Sequence, residues 1–127
     1  MPEDRLFFVY GTLRRGDAND ITRLHPAPQY VGDATIRGTM FHLGAYPGVL
    51  LSGDADVVGE VYRVSAALER KLDAIESEYP AQADEYAKRR ISVQVAGQWQ
   101  DCYVYEINPS YTVGRPIIAS GDWVKDR

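Results

Sequence analysis

The sequence predicts a single α+β domain in which a sheet dominates and one helix stands out, and three stretches carry that prediction. Leu6-Phe7-Phe8-Val9-Tyr10 is an unbroken apolar and aromatic run ended by Gly11, the pattern of a strand buried on both faces near the middle of a sheet. Leu68, Leu72, Ile75 and Tyr79 recur at the four-three-four spacing of one helical face, behind Ser65 as a cap and ahead of Pro80 as a stop. Residues 86–95 and 99–107 are two strand-like runs around Ala96-Gly97-Gln98, which reads as a β-hairpin.

The remaining elements follow in order. Residues 17–24 fit a short helix capped by Asp or Asn, closed by Pro26 and Pro28. Residues 30–43 are rich in β-branched and aromatic side chains, with breaks at Gly32 and Gly38, and Gly44-Ala45-Tyr46-Pro47-Gly48 follows as a turn. Residues 57–64 form another strand, and 117–123 a short strand with a loop. No repeat, low-complexity tract or linker divides the chain, so residues 1–127 read as one domain.

Composition narrows the function classes. A hydrophobic content of 45% over 127 residues is enough to bury a core without disulfides or a structural metal. The net charge of −4 supplies no basic field for a phosphate backbone, which argues against nucleic acid as a ligand. One cysteine, Cys102, forms no internal disulfide, and with only His25 and His42 beside it no spacing reads as a metal site. The first apolar run is too short for a signal-peptide core or a membrane span, so a cytoplasmic protein is expected.

A buried strand that stops abruptly at Tyr10-Gly11-Thr12-Leu13 presents main-chain N–H groups suited to a carboxylate or a developing oxyanion, with a glycine that permits close approach. The loop lacks the longer glycine run and the Lys-Ser/Thr pair of a phosphate loop.

The run Phe7-Phe8-Val9-Tyr10-Gly11-Thr12-Leu13-Arg14 resembles the opening signature of the gamma-glutamylcyclotransferase-like family. Four further pieces match in order: Tyr46-Pro47-Gly48, Gly59-Glu60-Val61-Tyr62, Leu72-Asp73-Ala74-Ile75-Glu76 and Tyr103-Val104-Tyr105. The tail Ser120-Gly121-Asp122-Trp123 is similar to that of short bacterial members, many without an assigned substrate. The resemblance implies a small mixed β-barrel or strongly curved sheet flanked by helices. It also implies a cofactor-independent transferase or lyase that cyclises a γ-glutamyl amine, amino acid or peptide to 5-oxoproline. On that reading the Tyr10–Leu13 loop binds the glutamyl head group and Glu76 is the general base, then acid.

At 100° per residue Glu76 falls about 70° from the centre of the apolar stripe, on the border of the buried and exposed faces, and Glu78 mirrors it on the other border. Ser77 follows Glu76 where relatives commonly carry glycine, and Tyr86 comes ten positions after it, which leaves Glu85 as a reserve carboxylate. Tyr46, Pro47, Gly48, Tyr86 and Tyr105 complete the expected binding set, the tyrosines offering an apolar face and a hydroxyl. The rival expectation is a non-catalytic module that binds a small carboxylate on the same fold.

Overall fold

A computed structural model describes residues 4–78 and 85–126, with the backbone alone for 76–78 and 126. Five strands, β1 (Arg5–Val9), β2 (Gln29–His42), β3 (Pro47–Val64), β4 (Tyr86–Val95) and β5 (Gln98–Ile107), form one mixed sheet in the order β2-β3-β1-β5-β4. Among the described residues two α-helices accompany it, α1 (Ala66–Glu78) and the short α2 (Trp123–Asp126).

β1 lies at the centre, as its apolar run predicts, antiparallel to β3 and parallel to β5. Its alternate side chains feed two cores. Leu6 and Phe8 pack with Val57, Val61, Val93 and Cys102 on one face. Phe7 and Val9 pack with Tyr62, Leu68 and Leu72 beneath α1 on the other. Phe7 and Phe8 are essentially inaccessible, and each such burial stabilises the fold by about 1.5–3 kcal/mol. A strand buried on both sides is a rigid base for the loop at its end.

α1 begins where the sequence places it: Ser65 Oγ accepts from Leu68 N at 3.2 Å, a cap that contributes about 1 kcal/mol. Leu68 and Leu72 are fully buried, and Ile75 lies against the same cluster. Lys88 of β4 reaches across to Glu69 at 2.6 Å and Asp73 at 3.0 Å on the helix, clamping α1 to the sheet. Burial works against the charge on Lys88, yet its bonds to Glu69 and Asp73 raise its pKa above the ordinary lysine value. Tyr79 and Pro80, read as the end of this helix, lie outside the described residues.

Several expectations change. The sheet is open: among the described residues no ladder joins the edge strands β2 and β4, so a closed barrel is not formed. The sheet nevertheless curls, since Val95 Cγ2 lies 2.8 Å from the point a Cβ on Gly32 would occupy. Ala34 and Ile36 of β2 share a core with Val93 and Val95 of β4, so side chains rather than main-chain bonds occupy the space between the edges. β3 begins at Pro47, ten residues ahead of the predicted 57–64, because the exposed segment Ser52–Asp56 stays extended despite its polarity. Residues 51–54 sit where the β2–β3 ladder jumps from Gly38↔Ala55 to Thr39↔Leu50. The predicted helix over 17–24 shrinks to a single 3-10 turn, Ile21–Arg23, capped by Asp20, which accepts from Thr22 N. The hairpin turn is the two residues Ala96-Gly97, both with positive φ, and Gln98 already belongs to β5. The tail contributes only an isolated bridge, Phe41↔Ile117, before α2.

Candidate active site

The chain leaves β1 through Tyr10, whose position is fixed from both neighbouring strands. Its hydroxyl donates to the Tyr105 carbonyl of β5 at 2.6 Å and accepts from Val49 N of β3 at 3.3 Å. Gly11 follows, and a Cβ there would sit 2.8 Å from Pro47 Cγ. The need for glycine at this position therefore comes from the proline ring, a partner the sequence reading did not assign to it.

The loop then folds back. Arg14 N donates to Gly11 O at 3.0 Å, Asn19 N to Thr12 O at 2.9 Å and Ile21 N to Leu13 O at 2.9 Å. The carbonyls of Gly11, Thr12 and Leu13 are thus engaged. Their N–H groups donate to no partner among the described residues. Successive free N–H groups at a strand end carry partial positive charge and favour an anion.

These residues line a cleft whose other walls are Phe8 and Val9 from β1, Tyr46 from the β2–β3 turn, Pro47 at the start of β3, Ile75 from α1, Tyr86 from β4 and Tyr105 from β5. The tyrosines do not present free hydroxyls to it. Tyr46 donates to Glu85 Oε2 at 2.6 Å, Tyr86 to the Pro47 carbonyl at 2.7 Å and Tyr105 to Asp73 Oδ1 at 2.7 Å. Their polar ends tie β4 to β3 and β5 to α1, leaving largely apolar aromatic surface for the cleft.

Of the predicted site residues, Tyr10, Gly11, Thr12, Leu13, Tyr46, Pro47, Tyr86 and Tyr105 are brought together. Gly48 is not among the lining residues; a Cβ on it would lie 2.8 Å from Ile107, so it serves packing between β3 and β5. Glu85 is 5% exposed and lies behind the wall, its carboxylate engaged by Tyr46. Glu76 is in the last turn of α1, immediately after Ile75, and its side chain lies outside the described residues.

Sequence reasoning missed the groups that brace the loop from behind. Glu60 of β3, 6% exposed, accepts from Arg14 Nε at 3.0 Å, Arg15 N at 3.0 Å and Tyr62 Oη at 2.8 Å. Arg14 also donates to Asp122 Oδ1 at 2.7 Å, joining the loop to the tail. Burial opposes the Arg14 charge, but its bonds to Glu60 and Asp122 raise its pKa still further. Burial pushes the Tyr62 hydroxyl well above the ordinary tyrosine range, and its bond to Glu60 adds to the shift. At Asp122 burial acts to raise the pKa, but the hydrogen bond from Arg14 and those from the backbone outweigh it and hold the carboxyl below its ordinary value.

The depressed pKa of Asp122 has a sign that thermal melts can read. A carboxyl with a lowered folded-state pKa stabilises fully above its unfolded value near about 3.9, and that stabilisation is lost as pH falls through the folded value. Asp122→Asn is expected to melt below wild type at neutral pH, with the gap closing below about pH 4. A gap that stays constant from neutral to acid would show that the Asp122 charge contributes nothing.

A family model described as gamma-glutamyl cyclotransferase, AIG2-like, matches residues 7–125. The chain belongs to the gamma-glutamylcyclotransferase family. It is 35% identical over 118 residues to the gamma-glutamylcyclotransferase family protein YtfP of Escherichia coli, covering 92% of this chain and 94% of that protein. It is also 35% identical over 120 residues to a putative gamma-glutamylcyclotransferase of Vibrio cholerae, covering 93% of this chain and 94% of the relative. Among solved structures, an AIG2-like protein of the mouse superposes with a TM-score of 0.74 at 24% identity, covering 98% of this chain and 91% of that one, which shows the shared α+β fold. Membership in the gamma-glutamylcyclotransferase family supports a small-molecule enzyme of the cyclotransferase type. Among the described residues no helix is long and apolar enough to cross a membrane.

Proposed function

We propose that this protein is a gamma-glutamyl cyclotransferase that releases 5-oxoproline from a γ-glutamyl amine, amino acid or peptide, with Glu76 as general base and then acid. The observation that carries the reading is that the N–H groups of Gly11, Thr12 and Leu13 find no partner among the described residues, in a cleft walled by Ile75, the residue just before Glu76.

The α-amine of the glutamyl group attacks its own γ-carbonyl. A carbon–nitrogen bond closes the five-membered ring, negative charge develops on the carbonyl oxygen, and the bond to the leaving amine then breaks. The proton lost by the attacking nitrogen passes to a carboxylate, for which Glu76 is proposed, and on to the departing amine. Because nucleophile and electrophile are tethered, the protein's task is to hold the bent conformer, move this one proton and offset the oxyanion charge, and no cofactor is required. The Gly11–Leu13 N–H groups hold the carboxylate of the glutamyl head, while the aromatic faces of Tyr46, Tyr86 and Tyr105 shield the ring-forming atoms from water. Glu85, bonded to Tyr46, remains the reserve carboxylate and fits better as the group that fixes that ring.

One observation favours the alternative, a carboxylate-binding module: no acidic side chain is among the described residues lining the cleft. Assay of 5-oxoproline release from a panel of γ-glutamyl amines and peptides separates the two readings, with turnover expected for the enzyme and none for the module. In a crystal soaked with a γ-glutamyl amide, the ligand carboxylate is expected on the N–H groups of Gly11, Thr12 and Leu13. Density for the compound only at another place would overturn the cleft as the binding site.

A further inference from the structure

Glu60 stands directly opposite Val9 in the last pair of the β1–β3 ladder, where the chain departs into the loop. Its carboxylate takes three donors: Arg15 N and Tyr62 Oη at Oε1, and Arg14 Nε at Oε2. Arg14, in turn, closes the turn begun at Gly11 through its own N–H and extends its guanidinium to Asp122. Asp122 is carried by a tail segment bonded to β3, where Val58 N donates to Gly121 O at 2.8 Å. The loop is therefore tied through one arginine to a central strand and to a segment more than a hundred residues away. A buried ion pair is weak as a source of net stability, because desolvation offsets much of the attraction, but it fixes geometry well.

We infer that Glu60, acting through Arg14 and Arg15, is a positioning residue that holds the Gly11–Leu13 N–H groups for the ligand's carboxylate. Glutamine in its place cannot satisfy the same donors. With the amide oxygen at either position, the NH2 group faces Arg14 Nε–H or Arg15 N–H, donor against donor. The loop then loses one of its two anchors on β3 without any change at the cleft surface. This role rests on the cyclotransferase reading for its kinetic consequence, but not for its effect on binding.

The test titrates 15N-labelled wild type and Glu60→Gln with 5-oxoproline, following the amide resonances of Gly11, Thr12 and Leu13, and measures kcat and KM on the γ-glutamyl panel. In wild type the three amides are expected to shift. In Glu60→Gln the affinity for 5-oxoproline falls and KM rises by about tenfold or more, while kcat stays within about threefold. Asp122→Asn, which keeps an acceptor for Arg14 but not the charge, is expected to move the same quantities in the same direction by less, and it decides the matter should Glu60→Gln not fold. A lower kcat at unchanged KM and unchanged affinity would mean only a loss of folded enzyme and would overturn the role. So would the absence of any response at these amides in wild type. A wild type that binds 5-oxoproline here, weakens in Glu60→Gln and yet turns over no γ-glutamyl compound would uphold Glu60 while removing the cyclotransferase reading.

Discussion

Glu76→Gln is expected to lower 5-oxoproline release by about 10²–10⁴-fold, roughly 3–5 kcal/mol of transition-state stabilisation, while the protein still folds and binds ligand. The substitution keeps the size and reach of the side chain and removes only its ability to take a proton. A solvated helix glutamate changed in the same way alters stability by a few tenths of a kcal/mol and leaves the rate alone. The two outcomes do not overlap, so a single comparison of kcat decides between them. Glu85→Gln provides the internal contrast. Its buried carboxylate accepts from Tyr46 at 2.6 Å, so this variant is expected to disturb a wall of the cleft and act mainly on KM. A large rate loss confined to Glu85→Gln would move the proton-transfer role there, and full activity in both variants would remove the carboxylate mechanism altogether.

Features that one segment encodes by itself were legible in the sequence. The two-sided burial of β1 follows from its unbroken apolar run, and α1 from the spacing of Leu68, Leu72 and Ile75 behind Ser65. The residues of the cleft were reachable through ordered motif pieces, because Tyr10–Leu13, Tyr46-Pro47 and Tyr105 each sit at a strand end or turn. What escaped depends on partners far apart in the chain. Arg14 looks like a surface arginine until β3 brings Glu60 against it and the tail brings Asp122. The signal was present in two forms: a lone carboxylate inside the apolar strand run from Val57 to Val64, and an Asp following the glycine of Ser120-Gly121-Asp122-Trp123. Both were recognised as motif pieces without a role, since nothing local says which charge answers which. The choice between a barrel and a strongly curved sheet stayed open for the same reason, because the approach of β2 to β4 depends on how Ala34, Ile36, Val93 and Val95 fill the space between them. The tyrosine hydroxyls were expected to face the ligand, yet each finds a long-range protein partner instead.

Gly121→Ala is expected to destabilise the fold by about 2–5 kcal/mol, the sum of an overpacking cost and a left-handed backbone cost. Gly121 has φ +66°, and a Cβ there would overlap the carbonyl oxygen of Asp56 and lie 3.4 Å from Val57 Cα. Neither obstacle is a flexible side-chain end that can swing away. The residue is also fixed from both sides, since its N–H donates to Ile118 O at 3.0 Å and its carbonyl accepts from Val58 N at 2.8 Å. Relief therefore requires the tail to lift from β3, and Asp122, the next residue, would leave Arg14 with it. Thermal melts should show a fall in Tm on the order of 10 °C or more, and the same protein should show a raised KM as the loop loses its second anchor. Gly114→Ala is the matched control. It has φ +76° but nothing within 4 Å of an added Cβ, so only the backbone cost applies, about 1–2 kcal/mol. Equal losses in the two variants would mean that the close approach of Gly121 to Asp56 does not hold the tail in place; a larger loss at Gly121, accompanied by weaker ligand binding, would tie the tail of the chain to the cleft through Arg14.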